Sequence, residues 1–133
     1  MHMRINRSET RSISIQAPPD AVLDVVGDAR TLPRWAPNFA TSVEPAGEHW
    51  LVNGDTEIDL RVDRARGTAD IVSAQDPRRG AFTRVIPNGA GSEYLFTLCF
   101  PDGTDEAAVD AQMTVVEEEL RTVRALAEPG ARG

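Results

Sequence analysis

Residues 15–38 read IQAPPDAVLDVVGDARTLPRWAPN, and the order of parts in this stretch decides the fold. The run just before and into it, TRSISIQ, alternates. Ile13 and Ile15 point one way and Ser12 and Ser14 the other, the pattern of a half-buried strand. Pro18 and Pro19 end that strand, because proline has no N–H for a ladder yet suits the first turn of a helix. Asp20 places a negative charge where the helix dipole favours one. Val22, Leu23 and Val26 then form a short apolar stripe that Gly27 closes. ARTLPRWAPN predicts a second short helical turn around Leu32, after which the prolines at 33 and 37 impose an extended path.

Beyond this stretch, residues 39–100 read as successive antiparallel strands. Asn53-Gly54 and Asn88-Gly89 lie between strand-like runs, and Asn-Gly suits tight hairpins because both residues tolerate positive φ. The extra glycines of PNGAGSE predict a longer loop at the second of these. RARG near Arg64 and QDPRRG near Pro77 supply two further turns. With the N-terminal strand the count is about seven.

Alternation assigns faces. Ile58, Leu60 and Val62 share one side of TEIDLRVD, with Glu57, Asp59, Arg61 and Asp63 on the wet side. Tyr94, Phe96, Leu98 and Phe100 share a face of EYLFTLCF that is expected to point inward. By the same reasoning Phe82, Arg84 and Ile86 lie together, which sets an arginine among apolar neighbours.

The C-terminal segment carries Val109, Met113, Val116, Leu120, Val123 and Ala127 at steps of three and four, the stripe of one long amphipathic helix. Thr104 is the expected cap, and Pro129-Gly130 the stop. About 23 residues of helix span roughly 34 Å, and only the inner face of the sheet is large enough to cover such a stripe.

Composition narrows the function. The chain has 133 residues, enough for one domain with a core and too few for two. A single domain over residues 1–133 is expected, with residues 1–8 flexible and 129–133 a tail. A net charge of −7 argues against nucleic acid, which needs a basic face. All 14 basic residues are arginine. No apolar run approaches the length of a membrane helix, so no membrane insertion is expected and the protein is expected to be cytoplasmic. Cys99 is the single cysteine, which excludes an intramolecular disulfide, and no metal site or cofactor motif is present in the sequence.

The order strand, two short helices, six hairpin-linked strands and one long helix resembles the helix-grip fold of the START-like, or SRPBCC, superfamily, in its polyketide cyclase/dehydrase-like branch. Ile15, Ala17, Pro18, Asp20, Val22, Asp28 and Trp35 match the family opening. Asp76, Pro77, Arg78, Arg79 and Phe82 match an aspartate-proline-arginine turn before an aromatic strand. The resemblance implies an α+β fold in which a curved sheet wraps a long helix around a cavity, and a small hydrophobic or aromatic molecule as the partner. Two departures stand beside it: the chain is short for a polyketide cyclase, and its aromatic content is 5%.

The candidate ligand-binding residues are Trp35, Phe82, Arg84, Tyr94, Phe96 and Met113. An inward Arg84 needs a counter-charge or a ligand, and with Tyr94 resembles the pair that orients polyketide oxygens in cyclase-like relatives. The opposing reading is a register shifted by one residue, which puts Arg84 in solvent. Trp35 either stacks a ligand at the cavity mouth or plugs the sheet end as core. Tyr94, Phe96 and Met113 either line a cavity or fill it. His49 beside Trp50 could act as a general acid or base, but its place at a turn favours the reading of a solvated histidine. Glu117, Glu118 and Glu119 read as solvated surface, and Cys99, with no basic neighbour in sequence, as an inert thiol.

Three functions stay open at this point. One is binding of a hydrophobic ligand, one is cyclase or aromatase chemistry, and one is a closed core acting through a protein surface, with a homodimer among the arrangements allowed.

Overall fold

The computed structural model describes residues 5–130. The elements run β1 (Arg7–Ile15), α1 (Pro19–Val26), a single 3₁₀ turn (Ala29–Thr31), α2 (Leu32–Trp35), β2 (Val43–Ala46), β3 (His49–Val52), β4 (Thr56–Asp63), β5 (Thr68–Ser73), β6 (Gly80–Asn88), β7 (Gly91–Phe100) and α3 (Glu106–Ala127). The seven strands form one antiparallel sheet in the order β1-β7-β6-β5-β4-β3-β2. α3 lies over β1 and β7, and α1 packs between α3 and strands β6 and β7. This is the α+β helix-grip arrangement.

The local chemistry matches the sequence in most places. Pro19 opens α1, and Gly27 closes it by donating its N–H to Leu23 O at 2.8 Å. Asp28 caps the next turn by accepting from Arg30 N at 3.0 Å. Asn53 and Gly54 have φ of 55° and 77°, as a tight hairpin between β3 and β4 requires. α3 has 22 residues, and its stripe of Val109, Met113, Val116, Leu120 and Val123 is buried.

Four expectations are corrected. β1 begins at Arg7, so residues 7 and 8 belong to a strand; residues 1–4 and 131–133 lie outside the described residues. α3 is preceded by Asp105 rather than capped by Thr104, whose hydroxyl donates to Pro101 O instead. The β6–β7 connection is tight: Asn88 pairs with Gly91, leaving only Gly89 and Ala90 in the loop.

That tight hairpin produces the fourth correction. It sets Tyr94 opposite Val85, Phe96 opposite Thr83 and Leu98 opposite Ala81. Residues directly opposite one another share a face. Since Tyr94 and Phe96 point inward, so do Val85, Thr83 and Ala81, all buried. Phe82, Arg84 and Ile86 therefore point outward. Arg84 is exposed and donates from Nε to Arg66 O at 3.3 Å. The inner side of β6 carries the small residues because α1 packs against that strand.

Candidate functional site

A cavity of about 760 Å³ opens at one end of the space between sheet and helices. Ile58, Ile71, Ala81, Phe96 and Leu98 form its sheet wall, and Leu32, Trp35 and Ala36 its wall on the α2 side. Gln112 and Glu119 of α3 form a third side. Arg78, Arg79, Phe39 and Pro101 also border it. The volume lies inside the range of small-molecule sites, and the apolar lining has the usual character of one.

Why the space is hollow follows from residue sizes. α2 is a four-residue helix and covers little area, while Ser73, Ala81 and Ala36 are short side chains facing the gap. The loop after α2 is held down by Asn53, whose Oδ1 accepts from Thr41 N (2.7 Å) and whose Nδ2 donates to Phe39 O (3.1 Å). Trp35 is 1% exposed and donates from its indole N–H to Thr31 Oγ1 at 3.2 Å. It is thus packed as core and at the same time borders the cavity.

The mouth is set by the Asp76–Arg79 turn between β5 and β6. Asp76 accepts from Arg78 N (3.1 Å) and from Arg78 Nε (3.1 Å), and this guanidinium lowers its carboxyl below the usual carboxylate range. Arg79 follows at the rim with no ion pair among the described residues.

The inner end is polar in a way the sequence did not announce. Glu119 is 7% exposed, faces the cavity, and makes no hydrogen bond or ion pair with any described residue. Burial alone pushes its carboxyl up to about 7, because ionisation in an apolar site is penalised. Gln112 stands on the same side of α3 two turns nearer the mouth, roughly 10 Å away along the helix. Tyr94 is fully buried beneath this region, and its hydroxyl has no hydrogen-bond partner among the described residues. Burial is the largest influence on this phenol, and the nearby Thr83 acts against it. The Thr83 hydroxyl, however, is committed to Ala69 O at 2.6 Å, and burial holds the phenol well above its ordinary value.

The six candidate residues thus separate. Trp35 and Phe96 line the cavity, whereas Tyr94 and Met113 are packed core beside it. Phe82 and Arg84 are on the opposite face of the sheet. His49, the first residue of β3, is also away from the cavity, with Nδ1 2.5 Å from Asp59 Oδ1; that carboxylate raises the imidazole above its usual range. Trp50 packs against the core edge with the Arg30 guanidinium 6.0 Å from its ring centre. Cys99 is exposed at the mouth.

Glu119 corrects the reading of the EEE run as solvated. Glu117 fits it, being half-exposed and paired with Arg11 at 3.0 Å. Glu119 sits three residues after Val116 and four before Val123, within the buried stripe itself. That spacing was the available signal.

Residues 7–132 match the family of polyketide cyclase / dehydrase and lipid transport proteins. The chain belongs to that family. No curated protein matches it in sequence. Among solved structures it is similar to a Bacillus halodurans protein, at 12% identity and a TM-score of 0.70, covering 95% of this chain and 100% of that one. A Nitrosospira multiformis protein is 15% identical with a TM-score of 0.68, covering 96% and 100%. The Aha1 dimer from Colwellia psychrerythraea is 13% identical with a TM-score of 0.68, covering 93% and 98%. At these identities the likeness concerns the fold. Among the described residues no helix is long and apolar enough to cross a membrane, and no cluster of His, Cys, Asp and Glu could hold a metal ion.

Proposed function

We propose that the protein binds a small hydrophobic or aromatic molecule in the cavity between its sheet and α3. The observation that carries this reading is the cavity of about 760 Å³ with Trp35, Ile58, Ile71, Phe96 and Leu98 in its walls. A closed core acting through its surface would have no reason to leave that volume unfilled, since interiors pack to crystal-like density. Trp35 and Phe96 supply flat aromatic walls, and the Arg78–Arg79 rim favours ligands that are neutral or carry negative charge at the outer end.

The experiment is a thermal-shift screen against aromatic polyketides, fatty acids, isoprenoids and sterols. A ligand at 100 times its Kd adds about 2.7 kcal/mol of stability. The Ala81→Trp variant, which fills the cavity from the sheet side, should stay folded and lose that shift. Ligand shifts that persist unchanged in Ala81→Trp would place binding elsewhere.

Cyclase chemistry is the second reading, and one observation favours it. A buried carboxyl that titrates near neutral pH has the proton affinity wanted of a general acid or base. Turnover of a polyketide-like substrate that is lost in Glu119→Gln, with binding retained, would select this reading over simple binding.

A further inference from the structure

Glu119 is the one buried carboxyl of α3 that the packing does not need. Its neighbours along the stripe, Val116, Leu120 and Val123, are buried by contact with the sheet and α1. Glu119 instead presents an unpartnered acid to empty space, at the end of the cavity away from Arg79 and Pro101. Its depth follows from how α3 lies on the sheet. Glu106 meets Arg7, which pairs with Phe100 near the mouth; Glu117 meets Arg11, which pairs with Phe96; Glu128 meets Gln16 N beyond the far end of β1. Glu119 therefore lies between the levels of Phe96 and Tyr94, where the cavity ends.

The charged and titratable groups around it are few. Tyr94 of β7 is close enough for Glu119 to act on its phenol and is neutral, and Asp70 of β5 acts on the same phenol. On β1, Arg11 is already taken by Glu9 and Glu117. Arg78 and Arg79 stand at the mouth. None of these shifts Glu119, whose raised proton affinity comes from burial alone. Near neutral pH a substantial share of the protein therefore carries a protonated acid there, and a carboxylic acid donates one hydrogen bond while its ionised form donates none.

Resting on the reading of the cavity as a binding site, we infer that protonated Glu119 selects ligands bearing a neutral carbonyl at their inner end, donating its O–H to that oxygen. Ionised Glu119 repels the same oxygen, so such ligands bind in a protonation-dependent way. The sign is fixed by linkage: a ligand that binds only the protonated form loses affinity as pH rises through the titration and raises the proton affinity of the group it engages. A site built to hydrogen-bond a carbonyl rejects the analogue that lacks it, because its own polar group is then left unpaired.

The test uses 1-tetralone and tetralin, which have the same bicyclic frame and differ by one carbonyl, with Kd measured calorimetrically on the full chain at pH 6 and pH 9. The expected result is 1-tetralone binding that weakens by about tenfold or more across this interval, and tetralin binding that does not change. In Glu119→Gln, whose amide still donates, 1-tetralone should bind equally at both pH values. In Glu119→Leu the preference for 1-tetralone over tetralin should vanish. Two results overturn the inference and leave the cavity reading standing: equal pH profiles for both compounds, or a 1-tetralone profile that survives in Glu119→Gln. No binding of either compound at either pH, together with a silent thermal-shift screen, overturns the inference and the cavity reading together.

Discussion

The two halves of the space under α3 are built from similar elements and end up opposite in character. In one half α1 lies between α3 and the β6–β7 hairpin, and Leu23, Val26, Val85, Tyr94, Leu120 and Val123 close on one another with almost no exposure. In the other half the covering element is the four-residue α2, and Phe96, Leu98, Ile58 and Ile71 face a cavity. Two turns of helix, against one, separate a packed core from a pocket. The packed core is concentrated where α1 covers the sheet, and the hollow lies where coverage runs out.

Substitutions can break or sharpen this contrast. The largest effect is expected in the packed half. Leu23→Ala removes a side chain that is 1% exposed and leaves a hole, which costs roughly 3 kcal/mol in chemical denaturation. A loss under about 1 kcal/mol would mean that the packed half relaxes into the hole and is loosely packed.

Next comes Glu119, at the boundary. Its folded value near 7 lies above the ordinary 4.5. Below pH 4.5 the acid is neutral in both states and has no effect. Between the two values the unfolded chain ionises first, so stability falls as pH rises, and above pH 7 the full cost remains. That cost is up to roughly 3 kcal/mol. Glu119→Gln should therefore raise the melting temperature at pH 8 and change it little at pH 4.5. Equal effects at both would mean the acid is solvated.

A smaller effect belongs to the hollow half. Leu98→Ala enlarges a space already empty, and its expected cost is about 1 kcal/mol, with ligand affinity changing more than stability. Smallest is Arg84→Ala on the outer face, expected within about 0.5 kcal/mol and without effect on any ligand. A large loss of binding there would mean the register of β6 is wrong.

The fold was legible because its strongest signals are local. The double proline, the Asn-Gly turn at residue 53 and the stripe of α3 each depend on a few neighbouring residues. The site was less legible because it depends on pairing between strands. The inward face of β6 follows from that of β7 only once the hairpin register is known, and a loop longer or shorter by one residue reverses it. Large side chains were a poor guide there. Phe82 and Ile86 sit half-buried on the outer face, while Ala81 and Thr83 occupy the inner one. Glu119 was obscured differently: three consecutive glutamates look alike as a run, and only helical spacing tells them apart.

Both rims of the sheet carry a defence against self-association. β1 turns Arg7, Glu9 and Arg11 toward α3, where Arg7 meets Glu106 at 2.6 Å and Arg11 meets Glu117 at 3.0 Å. At the other border β2 is four residues long and contains Glu44 and Pro45. A newcomer strand would meet a border stitched to the helix on one side, and on the other a short stretch in which proline offers no N–H. A chain with an apolar hollow between sheet and α3 thus also carries sheet borders that discourage the addition of a further strand.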